Sequence, residues 1–110
     1  MLVELDIFSG RPNPRWEVDE PVRRELKRLE SGLGAAAGPP RAPPGLGYRG
    51  FLYRLDGGRR RAFLGRIDRE GAALDDPGRA IERLLLRSLP EDLAPLADEI
   101  APLLSDGPPA

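Results

Sequence analysis

The sequence predicts an α+β domain, ordered β-α-loop-β-β-α-α, whose small antiparallel-containing sheet carries helices on one face. Three observations lead there. Leu2–Phe8 alternates with the two-residue period of a half-buried strand, and two more extended runs flank Asp56-Gly57-Gly58. Three further segments, opened by acidic residues and prolines, repeat apolar residues at helical spacing. A chain of 110 residues has room for one such domain, expected over residues 1–104. It is too short for a kinase, a TIM barrel or a paired dinucleotide-binding unit.

In the first strand Val3, Leu5 and Ile7 share one face, and Glu4, Asp6 and Phe8 the other. Ser9-Gly10-Arg11-Pro12-Asn13-Pro14 then ends it, because neither proline can donate to a ladder. Asp19 is placed to cap a helix near Glu20–Glu30, with Pro21 suited to its first turn. Its apolar stripe is Val22, Leu26, Leu29 and Leu33; Arg23, Arg24, Lys27 and Arg28 lie opposite. Glycine and proline supply 26 of the 110 residues, and they concentrate after this helix. Residues 32–45 therefore read as a flexible loop and 105–110 as a disordered tail.

Tyr48–Leu55 and Arg60–Ile67 form a hairpin, since Asp-Gly supplies the positive φ angles of a tight turn. Phe51, Tyr53 and Leu55 share its buried face, which Phe63 and Ile67 continue. Asp75-Asp76-Pro77 opens a second helix with Ile81, Leu84, Leu85 and Leu89 inward. A third follows Pro90-Glu91-Asp92, with Leu93, Leu96, Ile100 and Leu103 inward and Pro102 kinking or shortening it.

Composition narrows the chemistry. With no cysteine and no histidine, the chain has no disulfide, thiolate nucleophile or serine–histidine pair, and it lacks almost every zinc or non-haem iron ligand set. No metal and no cofactor is expected. Carboxylates, sixteen arginines, Lys27, two tyrosines and the backbone remain. Glu4 and Asp6, two apart on one strand face, are the pair available for acid–base work, so a carboxylate-dependent enzyme or enzyme subunit is one alternative. No positively charged start precedes an apolar stretch, and no apolar run reaches bilayer length. A cytoplasmic protein with no membrane partner is the expectation.

Two stretches could make contacts. Ser9–Trp16 holds the single tryptophan, the single asparagine and two arginines between two prolines. A turn so stiffened presents Arg11, Asn13 and Arg15 at little entropic cost, with Trp16 able to anchor it in the core. The hairpin adds Tyr48, Arg49, Arg59, Arg60 and Arg61. Residues 41–70 hold eight arginines against three acids, and residues 71–110 three arginines against eight acids. Either the hairpin meets an acidic partner, or the halves neutralise each other, with Glu4 and Asp6 pairing Arg54 or Arg66 across the sheet. A pI near 5.5 speaks against nucleic acid, whose weak binding is a second alternative.

Gly45-Leu46-Gly47-Tyr48-Arg49-Gly50 spells G-x-G-x-x-G, but a loop precedes it and a strand follows, the reverse of the dinucleotide context. It reads as a lead-in to the hairpin. Glu4–Trp16, with Ser9-Gly10-Arg11-Pro12-Asn13-Pro14-Arg15-Trp16 at its centre, and Gly45–Phe51 together resemble a family of small proteins carrying an S-G-R-P-N-P-x-W signature. The resemblance implies no activity, but it implies that the turn and the glycine lead-in are neighbours. The functional expectation is an accessory protein that recognises a protein or anionic peptide through Arg11, Asn13, Arg15, Trp16, Tyr48, Arg49, Arg59, Arg60 and Arg61. An exposed third strand would also let a second copy pair into a homodimer.

Overall fold

Alternation at the N-terminus produces the strand it predicts: β1, Leu2–Leu5, buries Val3 and Leu5 and turns Leu2 and Glu4 outward. The computed structural model describes residues 1–7, 12–37 and 47–104. Phe8, the Ser9-Gly10-Arg11 part of the turn, residues 38–45 of the expected flexible loop, and the expected tail 105–110 lie outside the described residues.

A strand the sequence does not announce comes next. β2, Arg15–Glu17, lies antiparallel to β1 with Trp16 opposite Val3. Pro14 accepts from Leu5 N through its carbonyl at 3.0 Å, so the proline loses only its donor half of the ladder. α1, Glu20–Ser31, starts at the expected cap: Asp19 Oδ1 accepts from Val22 N at 3.2 Å.

The hairpin is β3, Phe51–Leu55, and β4, Gly58–Phe63, joined through Asp56 and Gly57 at φ 50° and 81°. Both positive angles suit the two-residue turn. The second arm stops earlier than expected. Leu64 and Gly65, at φ 52° and 76°, make another tight turn into β5, Arg66–Arg69, and Gly71 then leads into β6, Ala72–Asp75. The register aligns Phe51, Ala62 and Ile67 on the buried face and leaves Phe63 one position out of phase with them. The expected third strand is therefore interior, not an edge.

The six strands run β2-β1-β3-β4-β5-β6, every neighbour antiparallel. Part of the expected flexible loop is fixed on β6: Asp75 N donates to Gly34 O and Ala36 N to Ala73 O, both at 2.9 Å. α2, Ala80–Arg87, follows a 3₁₀ turn at Pro77–Arg79, and α3, Ala94–Leu104, follows one at Glu91–Leu93. α3 continues two residues past Pro102, and it buries Leu104 in place of Leu103, which stays 51% exposed.

The core lies between the helices and one sheet face. Val3, Leu5, Phe51, Tyr53 and Ile67 meet Leu26, Ile81, Leu85, Ile100 and Leu104 there. Phe51 packs edge-on against Trp16 and Tyr48, with ring centroids 6.3 and 5.9 Å away. The other face of the sheet carries no helix, and its side chains decide what the fold can present.

Candidate functional site

Period-two alternation sends Glu4, Leu52, Arg54, Arg59, Arg61 and Asp68 to the helix-free face. The register sets them in rows. One runs Arg15–Glu4–Leu52–Arg61–Asp68 across β2, β1, β3, β4 and β5. In the next, Arg54 stands directly opposite Arg59. Between the rows opens a groove of about 900 Å³, floored by Leu2 and Leu52 and walled by Arg54, Arg59, Arg61 and Glu70.

Asp6 organises one end of this face. Its Oδ1 accepts from Arg49 Nη2 at 2.9 Å and from Asn13 Nδ2 at 3.3 Å, and its Oδ2 from Arg61 Nη1 at 2.9 Å. Asn13 also donates to Glu4 Oε2 at 2.9 Å and accepts from Ile7 N at 3.0 Å, while Arg15 Nε reaches Glu4 Oε1 at 3.0 Å. Asp6 N donates to Gly50 O and Arg49 N to Asp6 O, which ties the turn to the glycine lead-in as neighbours. Gly50 explains the last glycine of that run. It sits at φ 101°, and a Cβ there would come within 2.5 Å of Ala62 O.

The residues nominated from sequence therefore divide. Arg15, Arg49, Arg59 and Arg61 reach the helix-free face, and Arg11 lies outside the described residues. Asn13 spends its amide on the chain itself, pinning the turn instead of pointing outward. Trp16 is 5% exposed and donates from Nε1 to Ser88 Oγ at 2.9 Å. Tyr48 and Arg60 are equally buried. Packing claims Trp16 and Tyr48, which form no part of an exposed contact surface, and Arg60 borders the groove while its guanidinium turns inward to Glu30. Glu4 and Asp6 do pair across the sheet, but with Arg15, Arg49 and Arg61 in place of Arg54 or Arg66. Their oxygens serve structural ion pairs.

Arg54 and Arg59 differ from the other hairpin arginines. Both side chains are exposed, and among the described residues no carboxylate lies within ion-pair distance of either guanidinium. Like charges directly opposite on one sheet face destabilise the pair they form. The run Arg59-Arg60-Arg61 thus splits three ways: Arg59 outward with no carboxylate on its guanidinium among the described residues, Arg60 inward on Glu30 at 3.0 Å, and Arg61 outward on Asp6.

Two buried polar networks lie on the helix side, built on two glutamates that no sequence motif marks. Glu82 is fully buried; Oε1 accepts from Gly65 N at 2.8 Å and Arg79 Nε at 3.0 Å, and Oε2 from Tyr48 OH and Arg79 Nη2. Burial and the Glu82 charge push the Tyr48 hydroxyl well above the ordinary tyrosine range. The second network is the Glu30–Arg60 pair beside Tyr53, whose hydroxyl is buried without a partner among the described residues and is likewise pushed upward by burial. The hairpin register sets Arg60 opposite Tyr53 on the inward face, and nothing in the sequence around Glu30 or Glu82 marks either as interior. Among the described residues no cluster could hold a metal ion, and no helix is long and apolar enough to cross a membrane.

Comparison with protein-family models, curated proteins and solved structures returns no match to this chain.

Proposed function

We propose that this protein is a binding module that takes an acidic protein segment or peptide on the helix-free face of its sheet. One observation carries the reading: Arg54 and Arg59 face each other across β3 and β4 at the wall of a groove, and among the described residues neither guanidinium has a carboxylate partner, Glu70 reaching only the Arg59 backbone N–H at 3.4 Å. A bound carboxylate would relieve their repulsion, and guanidinium groups recognise carboxylates with two parallel hydrogen bonds. Leu2, 49% exposed, and Leu52 supply an apolar floor for side chains between the acids of such a ligand. Glu4, Asp68 and Glu70 line the same groove, and their charges oppose a continuous polyphosphate more than a segment of spaced acids.

The test is fluorescence anisotropy with a labelled short peptide of alternating glutamate and leucine. Reversing both charges, Arg54→Glu with Arg59→Glu, removes two charge-assisted contacts of about 1.5–3 kcal/mol each, so affinity falls by at least about a hundredfold. A folded double variant that binds as tightly as the native chain refutes the reading.

A further inference from the structure

Backbone groups in an antiparallel ladder alternate between facing the partner strand and facing away. In the β1–β2 pair, Leu5 N donates to Pro14 O at 3.0 Å and Val18 N to Met1 O at 2.9 Å, with Trp16 opposite Val3 between them. Positions 14, 16 and 18 therefore turn toward β1. Arg15 and Glu17 turn their N–H and C=O groups away, onto the rim of the sheet, and no described residue meets them there. The opposite rim is closed, because Gly34 and Ala36 bond to β6. Pro14 is no obstacle on the open side, since its missing donor faces β1.

The geometry points to a second copy of this chain as the occupant of that open rim, docked antiparallel about a two-fold axis at Trp16. In this register Arg15 stands opposite Glu17 of the partner subunit, and Glu17 opposite Arg15 of the partner subunit. Both are positions whose backbone groups face the rim, so each pair closes two N–H···O=C bonds. Both side chains are exposed on the helix-free face, Arg15 holding Glu4 through Nε and Glu17 the N-terminal ammonium through Oε2, each at 3.0 Å; the remaining guanidinium nitrogens and Oε1 are left for a partner strand, where opposite charges attract. The neighbouring registers that keep those backbone bonds place Arg15 against Arg15 or Glu17 against Glu17. Only the register centred on Trp16 joins unlike charges. Short, charged edges ordinarily repel other strands; the order Arg-Trp-Glu turns the same charges into a self-complementary patch, as a two-fold interface requires. The two sheets become one, and the grooves of both copies open on the same side.

Sedimentation equilibrium of the full chain over a range up to about 1 mM tests this. The native chain is expected to dimerise. Arg15→Glu alone and Glu17→Arg alone each convert two attractive pairs into two repulsive ones, which weakens the dimer at least about tenfold. The double exchange, Arg15→Glu with Glu17→Arg, restores opposite charges between the copies while losing the pairs to Glu4 and the N-terminus, and is expected to dimerise at least about threefold more tightly than either single reversal. A native chain that stays monomeric throughout overturns the inference, as does a dimer indifferent to the single reversals. So does a double exchange that keeps its circular dichroism but stays monomeric. Arg54→Glu with Arg59→Glu leaves the dimer unchanged, which separates this interface from the peptide groove.

Discussion

Replacing Glu82 with leucine removes the acceptor for four hydrogen bonds at once: those from Gly65 N, Tyr48 OH and two from the Arg79 guanidinium. Glu82 is fully buried and Tyr48 8% exposed, so water cannot replace the acceptor of the Tyr48 hydroxyl, while Gly65 N and the Arg79 guanidinium are only partly buried. Each buried donor left unsatisfied costs about 1–3 kcal/mol, and breaking a buried ion pair from one side costs about 3–5 kcal/mol. Arg79 retains its bond to Leu103 O at 2.8 Å, which limits its share. The expected loss is about 4 kcal/mol, a large part of the roughly 5–15 kcal/mol that holds a small domain folded. Urea unfolding followed by Trp16 fluorescence measures it as a fall in midpoint of at least about 1 M. Tyr48→Phe in the leucine background should then cost less than Tyr48→Phe alone, because the hydroxyl already lacks its acceptor. A Glu82→Leu loss below about 1 kcal/mol, or strict additivity in that cycle, would show that the network does not hold α2 to the sheet as described.

Two other positions give sharp expectations. Gly50→Ala drives a Cβ against Ala62 O at 2.5 Å from a φ of 101°, so a loss of about 3 kcal/mol or more is expected in the same unfolding assay; tolerance of alanine would mean that β3 and β4 approach less closely. Burial raises the Asp76 carboxyl above the ordinary aspartate range, while its Oδ2 accepts from Ile81 N at 2.9 Å. The folded chain then holds more protons at this site than the unfolded chain above about pH 4, so the site's contribution falls as pH rises through its raised value. The stability difference between the native chain and Asp76→Asn should therefore move in the variant's favour with rising pH. Parallel pH curves would contradict that assignment.

What could be read from the residues was what local chemistry determines. Asp19 and Pro21 fix the start of α1, and Asp56-Gly57 fixes the first hairpin turn, because a cap and a two-residue turn need only their own atoms. β2 was hidden because Pro14 reads as a strand breaker, although its carbonyl still serves the ladder. The β4–β5 turn was hidden because Leu64 adopts a left-handed conformation that leucine seldom takes. The candidate site suffered the same limit. Nothing local marks Glu30 or Glu82 as buried, and only long-range pairing with Arg60 and Tyr48 makes them interior. Arg59, Arg60 and Arg61 look equivalent in a row, but strand alternation and the reach of Asp6 and Glu30 leave only the Arg59 guanidinium of the three without a carboxylate among the described residues.

Backbone amide chemical shifts during titration with the alternating glutamate–leucine peptide test the groove most directly. Binding there moves the resonances of Leu52–Leu55 and Gly58–Arg61 together, in a saturable way, and leaves those of α2 and α3 in place. Shifts centred on the helices, or none along β3 and β4 at saturating peptide, would contradict a carboxylate seat between Arg54 and Arg59.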